Sequence, residues 1–362
     1  MFRHCLTLFF ISSVLASNGY GETLEAIRQQ FEIYQRLSGE IEILSTDDAK
    51  ELDNVLKRTE TKRLAVRKEL DRAQNERKKS RNLPSPLFAE EYAAPFIHYV
   101  AAERAFAKRS LEQGKPDDVI PAIQYVYRLA EKLSESGSLE LRTVAALIRL
   151  QMLETAQLLV FHQNSTQEHH KLLYKILEDQ INSRTTDAVI WTHYREEGKQ
   201  FFADVTKHAL DTLISPELLK KLMDKNALSQ YQQAAIESVE YDKSVFLHLS
   251  EVIIKSCDVP FFKRQPLLRT LDNELRKQRG AAKEPVFALL LLQDVTQSMR
   301  LFAQERSGIE TAYLALAASQ GNQERSKTLN FLTGNEYEIR LIADGVMCTY
   351  AGNVKPFYAP YR

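Results

Sequence analysis

The hydrophobic positions of this chain recur mostly at steps of three and four. Between Glu22 and Leu44, the residues Leu24, Ile27, Phe31, Ile33, Tyr34, Leu37, Ile41 and Leu44 trace one helical face. Ser45 stands three residues before Asp48, a capping-box spacing, and opens a highly charged helix to about Arg81. Its stripe is thin: Leu52, Val55, Leu56, Val66 and Leu70, with a break near Thr59 to Arg63. A helix this polar is stable as one arm against another, so residues 22–81 are predicted as a charged helical hairpin.

Asn82-Leu83-Pro84-Ser85-Pro86 ends that unit, because each proline disfavours helix at the residue before it. The helical period then returns over residues 86–319. It predicts Phe88–Gln113 closing on Gly114, a helix capped by Asp117 to about Leu133, and then Leu139–Phe161 and Thr166–Ile181. Thr186–Ile214, Pro216–Met223 and Leu228–Cys257 follow. Pro260 and Pro266 punctuate a short segment, after which Leu267–Gln278 and Pro285–Ser319 read as helices. Pro285–Val295 is the most apolar stretch beyond the leader, too short to span a membrane, and reads as a buried helix. Tyr99–Leu133 has the look of one tetratricopeptide unit, with alanines at 101, 102, 105 and 107. No second copy follows at the roughly 34-residue spacing that such arrays need, so helical hairpins joined irregularly describe the domain better.

From residue 320 the pattern changes. Gly321, Gly334, Gly345 and Gly352 concentrate here, and Tyr337, Ile339 and Leu341 alternate with Glu338 and Arg340. Ala343-Asp344-Gly345 is a turn and Val346–Tyr350 a returning strand, so residues 320–362 are predicted as a small β-hairpin with an extended Pro- and aromatic-rich tail. The fold class is mainly α: an N-terminal helical hairpin, an irregular multi-helix domain and a small C-terminal β-hairpin.

The first residues add a location. Arg3 and His4 precede an apolar run from Cys5 to Leu15, and Val14 and Ala16 present short side chains for cleavage. The run falls short of the roughly 20 residues that cross a bilayer, so residues 1–16 read as a secretory signal and the chain as periplasmic or extracellular. No later segment is expected to span the membrane. Lys plus Arg equals Asp plus Glu, 48 each, which leaves no global field for nucleic acid or anionic lipid.

Candidate chemistry is sparse. Beyond the leader, Cys257 and Cys348 either form one bridge tying the C-terminal segment to the helices or pack as two buried thiols. Arg77, Lys78, Lys79 and Arg81 form a basic tip, a solvated helix end or an interaction patch. His193/Glu196 and His248/Glu251 share helical faces at a spacing common to surface pairs, and His169-His170 lacks the companions of a zinc site. Trp191, beside Thr192, His193 and Tyr194, lines a groove or fills a core. No nucleophile elbow, H-E-x-x-H or glycine-rich phosphate loop occurs, so no catalytic, cofactor or metal residue is assigned.

Several short pieces carry a resemblance. Glu91-Tyr92-Ala93-Ala94-Pro95-Phe96, the apolar helix Leu139–Val160, Leu314–Gly321, Phe331-Leu332-Thr333-Gly334 and the hairpin Tyr337–Tyr350 follow in order. In that order they resemble exported planctomycete-type helical proteins of unknown function, whose C-terminal end is similar to a degenerate type II secretion pseudopilin (G-like) β-segment. The chain departs from that group where Asn330 and Phe331 stand in place of Asp-Pro. It also lacks the acidic calcium loop and prepilin leader of true pseudopilins. The resemblance implies an envelope setting and no catalytic residue. The expectation is therefore a scaffold or protein-binding module that engages another envelope protein. A metal-independent hydrolase with acids converging from several helices is the alternative.

Overall fold

The structure, a computed structural model, describes residues 49–75, 89–135, 139–205, 227–278, 285–292, 295–321, 329–350 and 356–361. The leader, the first arm of the predicted hairpin, the basic tip at Arg77, Lys78, Lys79 and Arg81, the Pro84–Pro86 linker and Pro216–Met223 lie outside these residues.

Among them, ten α-helices precede a three-stranded antiparallel sheet. The helices are α1 Ala49–Asn75, α2 Ala89–Glu112, α3 Val119–Glu135, α4 Leu139–Phe161, α5 Gln167–Asn182, α6 Asp187–Val205, α7 Ala227–Ser256, α8 Phe261–Gln278, α9 Val286–Leu292 and α10 Val295–Ser319. The strands are β1 Glu338–Ile342, β2 Gly345–Thr349 and β3 Phe357–Pro360, in the order β1-β2-β3. Gly114 ends α2 at φ 72°, a backbone conformation that favours glycine there.

The thin stripe of α1 packs on α2. Leu52, Val55, Leu56, Val66 and Leu70 are all buried, and the apparent break is filled by buried Thr59 and Arg63. The Arg109 fork binds Asp53 through two hydrogen bonds of 2.7 and 2.8 Å, and Arg63 and Arg67 reach Glu103. The hydrophobic pattern reserved that face for the preceding segment; among the described residues α2 takes it.

The buried apolar residues form two large clusters. The first joins the end of α1 to α2, α3, α4, α5, the second half of α10 and the sheet. The second joins α6, α7, α8, α9 and the first half of α10. Helix α10 threads both: Val295, Met299, Phe302 and Ala303 belong to the second cluster, and Ile309, Ala312 and Tyr313 to the first. Between these halves stand buried Glu305 and Ser307. Helix α4 also touches both clusters, through Ala146 on one side and Ala145 and Ile148 on the other. A polar seam thus runs between two apolar masses. Residues 141–161 of α4 are long and apolar enough to cross a membrane, yet in the fold they are mostly buried against other helices.

Three expectations are corrected. Helix α8 begins at Phe261 and contains Pro266, because burial of Phe261, Arg264 and Leu268 outweighs the one donor the proline removes. The helix predicted over Pro285–Ser319 is two, α9 and α10. Asp242 accepts from the amides of Phe287 (2.9 Å) and Ala288 (2.6 Å) at the start of α9, and the Tyr194 hydroxyl donates to the Leu291 carbonyl at its end. Side chains from other helices therefore satisfy both ends of this short helix. The C-terminal tail is a third strand, pairing Val346 with Ala359 and Cys348 with Phe357. The Gln157 side chain on α4 bonds both the N–H and the carbonyl of Tyr358, each at 2.8 Å, as a neighbouring strand would.

The structure also decides between the two readings of Cys257 and Cys348. Both are free thiols. Cys348 sits in the first cluster and Cys257 against the second, so they pack as small hydrophobes and form no bridge. Burial pushes each thiol up to about 12, which leaves little thiolate at neutral pH.

Candidate functional site: an arginine-lined cavity on the seam

The seam between the clusters opens into a cavity of about 220 Å³. Arg142 and Arg149 enter it from α4, two helical turns apart and so on one face. Arg184 enters from the segment between α5 and α6, and Glu305 from the middle of α10.

Glu305 is the hub. Its Oε2 accepts from Arg142 Nη2 at 2.6 Å and its Oε1 from Arg149 Nη1 at 3.1 Å, with Arg184 Nη2 at 3.5 Å. The Arg142 and Glu305 side chains are 2% and 3% exposed, and Arg184 is 20% exposed, so the cluster is deep at α4 and reaches solvent beside α6. Neighbours fix each guanidinium. Arg149 also donates to Gln180 (2.9 Å) and Ser134 (3.0 Å), Arg184 donates to the Phe302 carbonyl (3.0 Å), and Arg142 lies 4.5 Å over the Phe302 ring.

The charges do not balance at the centre. Three guanidiniums surround one carboxylate, and Arg142 Nη1 is buried with no hydrogen-bond partner. The fourth arginine in the lining, Arg306, pairs with Glu310 at 2.7 Å and leans 4.2 Å from the Phe331 ring, so its charge is matched locally. Burial alone would raise the Glu305 carboxyl, but Arg142, Arg149 and Arg184 together hold it down at about 2. Burial pulls the Arg149 guanidinium down to about 10 despite Glu305, and Arg184 below the usual arginine range for the same reason. In both, burial is the largest cause, Glu305 opposes it and the neighbouring arginines add to it.

The residues singled out in the sequence lie elsewhere. Trp191 is buried in the second cluster, edge-on to Tyr194 at 5.7 Å, and serves the core. Glu196 pairs with Lys199 and Glu251 with Arg195, so the two His/Glu faces are knit into surface ion pairs. Among the described residues no group of three or more His, Cys, Asp or Glu is placed to hold a metal ion. The expected engagement of an envelope partner fell on the charged hairpin and its basic tip, most of which lies outside the described residues.

One constellation has the outline of a hydrolytic triad. Thr166 Oγ1 lies 3.0 Å from His169 Nδ1, and His169 Nε2 lies 2.8 Å from Asp117. It is a helix cap. His169 Nδ1 accepts the backbone N–H of Thr166 at 2.9 Å, and the Thr166 side chain accepts the His169 amide, which together start α5. Asp117, at 93% side-chain exposure, is tied to this cap and does not cap α3 as its position suggested. Asn330 likewise acts locally, its Oδ1 accepting from the amides of Leu332 and Thr333 to shape the turn at Phe331–Gly334.

Sequence reading passed over the arginines because it took Leu139–Phe161 simply as an apolar helix. The signal was present: Arg142 and Arg149 interrupt that apolar run seven residues apart, and an arginine on a buried face must find partners. Glu305 and Arg184 carry no comparable mark, since their burial depends on packing between distant helices. No protein family, curated protein or solved structure matches this chain.

Proposed function

We propose that this chain is a non-catalytic binding module of the cell envelope and that its ligand is a small anion held in the arginine cavity. The observation that carries this reading is the convergence of three guanidiniums, Arg142, Arg149 and Arg184, on one carboxylate, Glu305, in the wall of a cavity. An unpaired buried cation is costly, and an anion that meets it recovers that cost as binding energy. The envelope setting rests on the leader at residues 1–16 and the resemblance described above.

Hydrolysis fits the geometry less well. A glycosidase-type site needs one carboxyl protonated near neutrality and a second ionised. Of the glutamates lining the cavity, Glu305 is kept ionised down to about pH 2 by its arginines, Glu310 is paired with Arg306 and Glu135 with Lys132. Arginines are no general bases at neutral pH.

Isothermal titration of the purified chain with inorganic phosphate and with succinate, in chloride buffer, tests the reading. The expected result is saturable one-to-one binding of at least one dianion, weakened at least tenfold in Arg142→Gln and in the less buried Arg184→Gln. Absence of saturation with either probe, at millimolar concentrations and low ionic strength, would overturn it.

A further inference from the structure

We infer that the cavity takes a phosphomonoester of a small hydroxylated molecule, its phosphoryl group against Arg142, Arg149 and Arg184 and its body among hydroxyl and amide side chains. This deepens the anion-binding reading and rests on it. Three features point to the ligand class. The first is charge: Arg142, Arg149 and Arg184 gather around the single carboxylate of Glu305, so positive charge is concentrated at that end of the cavity, away from Glu131 and Glu135 of α3.

The second feature is geometry. A carboxylate offers two oxygens and is matched by a single guanidinium fork, whereas a terminal phosphoryl group offers three. The guanidiniums come from two positions on α4 and one on the α5–α6 segment, so they converge on the centre from different elements. The one carboxylate they already bind, Glu305, leaves Arg142 Nη1 unmatched.

The third feature is the remainder of the cavity. At about 220 Å³ it has room for roughly seven waters' share of liquid volume, more than a phosphoryl group alone fills. Beyond the arginines its lining includes Ser183, Thr185, Thr186 and Gln180, which can donate or accept, while Ile181 and Ile309 supply apolar wall. Glu131 and Glu135, at the end of α3, complete the lining and disfavour a bare polyanion at that end, Glu135 also pairing with Lys132 at 3.0 Å. A phosphate on a polyol body meets the arginines and these groups together.

The experiment compares glucose 6-phosphate, glycerol 3-phosphate, glucose and inorganic phosphate by titration against the full chain. At least one ester is expected to bind ten times more tightly than inorganic phosphate, and glucose not measurably. Thr185→Val is expected to lower the ester-to-phosphate affinity ratio at least threefold, a comparison internal to one variant and insensitive to the fraction folded. Phosphate binding with no gain for either ester overturns this inference and leaves the anion-binding reading standing. Binding of succinate alone overturns the phosphoryl assignment. Binding of none of the anions defeats the underlying reading itself.

Discussion

Two glutamates are buried in this molecule among arginines, and they do different things. Glu103 on α2 is fully buried between Arg63 and Arg67 of α1, with Arg67 donating to both oxygens at 2.8 and 2.6 Å. Glu305 on α10 is as deeply buried but meets three arginines from two other elements. Around Glu103 the excess charge is covered by aromatic faces: Arg63 lies 3.6 Å above the Phe106 ring, and Arg67 5.0 Å from that of Tyr125. Around Glu305 the excess faces a cavity. The first centre is a clasp holding α1 to the body; the second is the proposed anion site. A ring covers an arginine at each centre, Phe106 under Arg63 and Phe302 under Arg142; the difference is the cavity that Arg149 and Arg184 line beside Glu305.

The largest effect that could break this comparison comes from neutralising either glutamate. Glu305→Gln leaves the buried Arg142 and Arg149 without their shared counter-charge and is expected to cost about 3–5 kcal/mol in urea unfolding. Glu103→Gln should fall at or below the low end of that range, because Arg67 is partly exposed and can rehydrate. Equal losses would say that the third arginine adds nothing.

Acid sharpens the contrast. The folded-state Glu305 carboxyl is depressed from 4.5 to about 2, so its contribution is complete above about pH 4.5 and is lost as pH falls toward 2. Glu305→Gln is therefore expected to flatten the stability profile over that window when unfolding is followed by circular dichroism. A mutant profile parallel to that of the parent chain would remove Glu305 from the account.

The smallest predicted effect is at the clasp. Phe106→Leu takes away the ring beneath Arg63 and should cost on the order of 1 kcal/mol or slightly more by thermal melting, while leaving phosphate affinity as in the parent chain. A matching loss of phosphate binding would mean that the two centres are coupled.

How much of this was legible in the sequence follows the same divide. Periodicity located most helices closely: the predicted Leu139–Phe161 is α4, and Leu228–Cys257 differs from α7 by one residue at each end. Local rules failed where a distant side chain decides. Asp242 caps the start of α9 and Tyr194 bonds its last turn, and Gln157 with Met347 and Cys348 recruits the tail as β3. The site was the least legible part. Its four central residues come from three stretches separated by as many as 163 positions, as Arg142 and Glu305 are, and only the paired arginines on an apolar face gave notice. The histidines and tryptophan drew attention because their types are associated with chemistry, yet their neighbours in space assign them to caps, surface pairs and core.

The most direct test of the central claim is the stabilisation by inorganic phosphate of Glu305→Gln against that of Glu103→Gln, read as the shift in melting temperature over a phosphate titration at constant ionic strength. A ligand at a hundred times its Kd stabilises by about 2.7 kcal/mol, so the shift is measurable. The account predicts that Glu103→Gln is stabilised as much as the parent chain and Glu305→Gln more than either, because phosphate then replaces the missing counter-charge. Equal stabilisation of the two variants, or none in the parent chain, would contradict it.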